Sequence, residues 1–298
     1  MATTTNNTIE KIAPMFTELL VKKIECLKTD WQKPWITSLK QGLPRNIRGT
    51  VYNGGNVLML LFYTEFMKFS LPVFLTFNQA KEEEVNINKG ARSFPVYYWF
   101  KFVVHKETKK TIKYEEYRKL SATEQENYKV IPQMKYYNVF NIEQTNFAEK
   151  HPERYERMKK NEQPDNHSDG MMFDALDELV YTQNWYCPIK VKYSDSAFYV
   201  SSADYIVCPE KRQFPQGVEF YGTLLHEMAH STGSPQRLNR TFGNFFGDAL
   251  YAREELVAEL TSALCGAFFG YAAAPQDNNA AYLKHWLTKL KEEPAFLV

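Results

Sequence analysis

Near residue 226 the chain reads Leu224-Leu225-His226-Glu227-Met228-Ala229-His230. Four positions separate the histidines, so on a helix both imidazoles project from one face a turn apart, with a carboxylate beside the first. Two imidazoles placed this way can hold a zinc ion, and the glutamate can serve as base for the water such an ion activates. His226 and His230 are therefore candidate metal ligands, and Glu227 is the candidate catalytic residue. A structural pair of buried histidines would show the same spacing, so the flanking sequence must supply the rest of a site.

The run from Val218 to Thr232 carries apolar residues at Phe220, Leu224, Leu225 and Met228, has no proline, and is stopped by Gly233 and Pro235. It reads as a helix. A catalytic zinc takes three protein ligands and keeps a fourth position open. His105, His151 and His167 lie far upstream in polar segments and His285 in a later polar helix, while Cys26, Cys187, Cys208 and Cys265 are scattered. A better source is a second predicted helix from Asp248 through Ala267. There Glu255 and Glu259 share a face with Ser262 and Gly266, and Leu256, Val257, Leu260 and Leu264 form the apolar stripe. Carboxylates on such a helix are costly unless a positive group meets them. Glu255, 25 positions after His230, reads as the third ligand. Glu259, one turn on, could orient a ligand imidazole. Helical phase also admits Glu254 as the ligand, and a solvated pairing of Glu254 and Glu255 with Arg253 is the simpler alternative. Two histidines and a glutamate suit zinc best, although manganese or cobalt can occupy such a site in purified protein.

That chemistry is peptide hydrolysis, with Glu227 moving the proton from water to the leaving amine. An extended substrate would lie beside a sheet edge, for which residues 197–200 and 204–207 supply strand-like runs. No residue identifies itself as an oxyanion stabiliser.

The 298 residues, 44% of them hydrophobic, can bury one large core or two modest ones. The net charge of +1 conceals a split. Residues 1–145 hold 21 Lys and Arg against 14 Asp and Glu, a net +7, and residues 146–298 hold 15 against 21, a net −6. This predicts two domains, 1–147 and 171–298, joined by a charged linker over 148–170 that begins as a helix. No apolar stretch approaches the length of a membrane span. Met1 to Thr8 lacks the pattern of a signal peptide, and the cysteines read as reduced, which places the chain in the cytoplasm.

The basic half opens with an amphipathic helix, Thr8 to Lys28, followed by Asp30-Trp31-Gln32-Lys33-Pro34-Trp35. A turn-rich basic loop, Pro44 to Asn56, leads into an apolar helix, Val57 to Phe69. Strands are predicted at 74–77, 93–102 and 135–141. Aromatics interleaved with lysines on a sheet suit single-stranded nucleic acid, whose bases stack on the rings while cations follow the phosphates, though aromatic strands are also common in cores.

At this point the motifs resemble those of the ArdC antirestriction family of conjugative plasmids and related mobile elements. The resemblance is carried by Trp31-Gln32-Lys33-Pro34-Trp35, Tyr52-Asn53-Gly54-Gly55-Asn56, Phe74-Leu75-Thr76-Phe77-Asn78-Gln79-Ala80, Asn88-Lys89-Gly90-Ala91-Arg92 and Tyr137 through Gln144. In the second half it is carried by Thr223 through Gly233, Arg237-Leu238-Asn239-Arg240 and Tyr251 through Glu259. It implies an α+β chain of two domains: an N-terminal mixed α/β single-stranded-DNA-binding domain and a C-terminal zincin-like metallopeptidase domain. It also implies protection of incoming DNA from host restriction. The DNA contacts expected on this basis are Lys33, Trp35, Arg45, Arg48, Tyr52, Asn56, Lys89 and Arg92, with Trp31 in the core. Arg45 and Arg48 could equally belong to a solvated loop, and Asn56 could be a helix cap.

Residues 105–133 read as a charged insertion into the pattern. The apolar ending Pro294-Ala295-Phe296-Leu297-Val298 reads as a truncated or naturally shortened carboxy-terminus. Two readings then compete. One is a zinc peptidase tethered to single-stranded DNA, acting on an unidentified protein substrate, with restriction-system components as candidates. The other is a single-stranded-DNA-coating protein whose metal domain is structural.

Overall fold

A computed structural model describes residues 2–27, 34–36, 42–160, 172–243, 248–271, 283–292 and 294. The helices are α1 (Ala2–Leu27), α2 (Gly55–Phe66), α3 (Phe77–Glu82), α4 (Tyr114–Tyr117), α5 (Ala122–Gln125), α6 (Phe147–Lys150), α7 (Pro152–Lys160), α8 (Asp174–Thr182), α9 (Gly217–Ser231), α10 (Ala249–Phe269) and α11 (Leu283–Glu292). The strands are β1 (Arg45–Asn46), β2 (Val73–Leu75), β3 (Phe94–His105), β4 (Thr111–Ile112), β5 (Tyr128–Asn141), β6 (Ile189–Lys192), β7 (Phe198–Val200) and β8 (Tyr205–Pro209). The fold is α+β. No helix among the described residues is long and apolar enough to cross a membrane.

The first half is built on a five-stranded sheet in the order β1-β2-β5-β3-β4. Its main feature is an antiparallel ladder of β3 on β5 running without a break from Phe94↔Val139 to His105↔Tyr128. Both strands therefore outrun the apolar segments that announced them, because a ladder of backbone hydrogen bonds continues through charged residues once its register is set. The charged insertion fills the far end of this hairpin with β4, α4 and α5. The predicted strand 74–77 is shorter than expected. Thr76 instead caps α3, its hydroxyl accepting from the Gln79 amide while the Gln79 side chain accepts from the Thr76 amide. That Thr-x-x-Gln spacing is a capping box.

In the second half β6-β8-β7 form a small sheet, with β6 parallel and β7 antiparallel to β8. The 204–207 run thus lies in the central strand, and β7 is an edge. Helix α9 packs on this sheet through Phe220, Tyr221, Leu224, Leu225 and Met228. Asp248 caps α10, its carboxylate accepting from the Leu250 amide at 3.0 Å, and Gly270, at φ +83°, ends it.

A single hydrophobic cluster runs through both halves. It joins Phe16, Leu20 and Ile24 of α1 and Val57 to Tyr63 of α2 with Leu256, Ala263 and Ala267 of α10 and Trp286 and Leu290 of α11. The charge split along the chain therefore does not coincide with a division of the core. Helix α7, at the start of the expected linker, packs Tyr155 and Met158 onto a smaller cluster beside β2.

Candidate metal centre and nucleic-acid groove

Helices α9 and α10 lie side by side, tied where the Ser262 hydroxyl donates to the Gly222 carbonyl at 2.9 Å. One turn along α9, His226 and His230 face α10, with Nε2 atoms 3.1 Å apart. Glu255 closes the triangle, its Oε2 3.4 Å from His226 Nε2 and its Oε1 3.6 Å from His230 Nε2. Among the described residues this is the group of ligand-bearing side chains that could hold a metal, all three being buried. A tetrahedral ion with bonds of roughly 2.0–2.1 Å separates its donor atoms by about 3.3–3.4 Å, close to the spacing of the two histidine nitrogens and of each Glu255 oxygen from the histidine it faces.

The outer ring nitrogens face carboxylates as well. His230 Nδ1 lies 3.2 Å from Glu254, and His226 Nδ1 lies 3.7 Å from Glu259. Glu254 and Glu255, adjacent in sequence, thus approach opposite nitrogens of His230. Buried Glu227 sits beside them, where its charge interacts with both histidines and with Glu255.

The first half carries a groove of 540 Å³ where the loop before α2 meets the β3–β5 hairpin, lined by Tyr52, Asn56, Tyr97, Tyr98, Trp99 and Tyr137 among others. Gly54 enters α2 at φ +58°, a backbone state costly for any residue with a side chain. Tyr98, Trp99, Tyr136 and Tyr137 stay between 37% and 50% exposed, unusual for rings of this size. Of the expected DNA contacts, Tyr52 and Asn56 line the groove, but Asn56 is buried and its amide is taken up by the Tyr97 backbone at 2.7 and 3.0 Å. It does not cap α2, whose N-cap is Gly54.

Arg45 is half-buried on β1, Arg48 pairs with Glu82 at 2.5 Å, and Lys89 and Arg92 are exposed. Lys33 and Trp31 lie outside the described residues. Trp35 is corrected: it is fully buried between α2 and α11, and its indole donates to Glu259 at 2.8 Å, so it offers no face to a base. The exposed Tyr98, Trp99 and Tyr137 are not among the residues the sequence singled out, although the aromatic run itself is visible there.

Family comparisons divide the chain between the same two halves. A family model described as the N-terminal domain of anti-restriction factor ArdC matches residues 10–140, and one described as zincin-like metallopeptidase matches residues 174–298. The fold also matches the metal-free crystal structure of antirestriction ArdC protein from the R388 plasmid. That match has a TM-score of 0.63 and 26% identity, and covers 96% of this chain and 90% of that one. The chain belongs to the ArdC-type antirestriction family. The Mn(II)-bound structure of the same R388 protein matches with a TM-score of 0.64 at 27% identity, covering 96% of this chain and 91% of that one. DNA primase TraC of Escherichia coli is 30% identical over 284 residues, which is 93% of this ArdC-type chain but only 25% of that relative's length.

In this ArdC-type chain, groups outside the triangle set its electrostatics. The Arg240 guanidinium donates to both oxygens of Glu254, at 2.7 and 2.9 Å, and to the Ala229 carbonyl at the end of α9. Gly233 makes room for it, since a Cβ there would come within 2.9 Å of the guanidinium. Burial pushes the Glu254 pKa up, but hydrogen bonds to Arg240 and His230 outweigh it and hold the carboxyl below its usual range. Arg240→Ala would leave that carboxylate buried without its cation. We expect a loss of roughly 3–5 kcal/mol, read as a lower denaturation midpoint; an unchanged midpoint would mean that Glu254 is solvated.

Burial disfavours charge on His226, yet the hydrogen bond to Glu255 and the carboxylates of Glu259 and Glu227 raise its pKa to about 9. Raised above its ordinary value of 6.5, it stabilises the metal-free protein fully below pH 6.5 and loses that contribution as pH rises through 9. A metal needs the neutral ring, so affinity should run the opposite way. Between pH 6.5 and about 9 the metal-free protein is expected to melt progressively lower while chelator competition shows tighter metal binding. Parallel trends would exclude His226 as a ligand.

Proposed function

We propose that this ArdC-type chain binds single-stranded DNA along the aromatic groove of its first half and hydrolyses peptide bonds at the His226–His230–Glu255 centre, with zinc as the working metal. The observation that carries the reading is the triangle of ligand atoms with a buried carboxylate beside it that is not part of the triangle. A structural metal site closes its coordination with protein groups and has no use for such a base.

A divalent ion held by the three residues would bring the pKa of water towards 7 and polarise a carbonyl. The chain's residues do the rest. Glu227 takes the proton and delivers it to the leaving amine; burial raises its pKa against the pull of both histidines, which strengthens it as a base. The exposed edge of β7 can pair with an extended substrate, laying a peptide alongside α9.

Protection of DNA would follow from proteolysis of a protein met on that DNA, a restriction component being the class of target the family suggests. The test measures zinc content, cleavage of an unfolded protein substrate and oligonucleotide affinity on one preparation. One equivalent of zinc, hydrolysis lost on chelation, and single-strand preference support the reading. Stoichiometric zinc without hydrolysis of any substrate would favour DNA coating.

A further inference from the structure

Both ligand histidines are backed by a carboxylate, and each carboxylate is gripped from outside the two helices' facing sides. Glu254 behind His230 is gripped by Arg240, a near neighbour in sequence. Glu259 behind His226 is gripped by Trp35, 224 positions away in the other half of the chain. The Trp35 indole N–H donates to Glu259 Oε2 at 2.8 Å, and the other oxygen of the same carboxylate stands 3.7 Å from His226 Nδ1. That ring nitrogen is buried and has no hydrogen-bond partner among the described residues. Trp35 is itself wedged between Phe62 of α2 and Trp286 of α11, with ring centroids 6.3 and 6.4 Å away.

Resting on the reading of the triangle as a metal centre, we propose that Trp35 is a positioning residue of that centre: it holds Glu259 facing His226, so the DNA-binding half completes the metal site of the other. A carboxylate facing Nδ1 selects the tautomer with its proton on that nitrogen and leaves the Nε2 lone pair directed at His230 and Glu255. A buried carboxylate gripped on one oxygen gives up that hydrogen bond if it turns away from the ring. The consequence is a metal affinity that depends on a side chain remote from the metal.

The test is Zn(II) affinity by competition with a chromophoric chelator. Trp35→Phe keeps an aromatic ring but removes the donor, and is expected to lower affinity about tenfold or more. Trp286→Phe removes the neighbouring indole N–H, which donates to the Ala252 carbonyl of the same helix at 2.6 Å, and is expected to leave affinity unchanged. In a Glu259→Gln background Trp35→Phe should add no further loss, because both act through one path. A measurement on the unaltered protein stands beside these in case Trp35→Phe does not fold. On adding Zn(II), the Trp35 indole N–H resonance should shift and that of Trp286 should stay. Wild-type affinity in Trp35→Phe, equal losses in both tryptophan variants, or an unmoved Trp35 resonance would overturn the role of Trp35 alone. An unaltered protein that takes up no Zn(II) would overturn the metal centre itself.

Discussion

Glu227→Ala is expected to keep its metal and its single-stranded-DNA affinity while peptide hydrolysis falls by roughly 10²- to 10⁴-fold, the contribution of a well-placed general base. The metal should stay because Glu227 is outside the triangle: the atoms that converge belong to His226, His230 and Glu255. Groove binding should stay because Glu227 is far along the chain from Tyr98 and Tyr137 and lines no part of the groove. Glu227→Gln separates chemistry from packing, since it preserves the volume and a polar amide while removing the base. Metal and DNA affinities alike within error and hydrolysis lost in both variants would establish the role. Hydrolysis that survives in Glu227→Gln would show that another group carries the proton. Antirestriction measured on the same variants then ranks the two readings: protection that disappears with hydrolysis belongs to the peptidase, and protection that survives belongs to occupancy of the DNA.

The spacing of His226 and His230 is enough to place two ligands, because a helix fixes the relation of positions i and i+4 whatever surrounds it. The bounds of α9 and α10 are legible for the same local reason, with Gly233 near one end and Asp248 and Gly270 at the two ends of the other. What periodicity cannot supply is how two helices cross. Consecutive residues on a helix point about 100° apart, so Glu254 and Glu255 look like alternatives for one role. Lying beside α9, α10 instead brings one to each side of His230. Trp35 misleads because an indole between a proline and an isoleucine looks the same whether it stacks on a base or fills a core. Only its neighbours more than 200 positions distant, Glu259 and Trp286, decide the matter. The shared core is hidden for a related reason. Charge averaged over each half describes the surface, whereas the apolar side of α10 that meets α2 and α11 contributes nothing to that average.

Removing Tyr98 and Tyr137 together is expected to weaken single-stranded-DNA binding by about 30-fold or more, since base–aromatic stacking is worth roughly 1–3 kcal/mol for each base. The two rings lie 6.1 Å apart on neighbouring strands and are 46% and 39% exposed, so the variant sacrifices little core packing. The loss should be the same at low and high salt, because stacking releases no counterions. Arg45→Ala with Arg48→Ala provides the contrast. Arg48 is 63% exposed and already paired with Glu82. Withdrawing such a cation from a phosphate should flatten the salt dependence by about 0.7 per charge while costing less affinity at high salt. A groove that reads bases through aromatic faces gives these two signatures separately. If the tyrosine variant binds as tightly as the unaltered protein, the groove is not where DNA lies. If instead its salt slope falls with its affinity, the rings act by placing nearby cations on the backbone, and stacking is not the source of the binding energy.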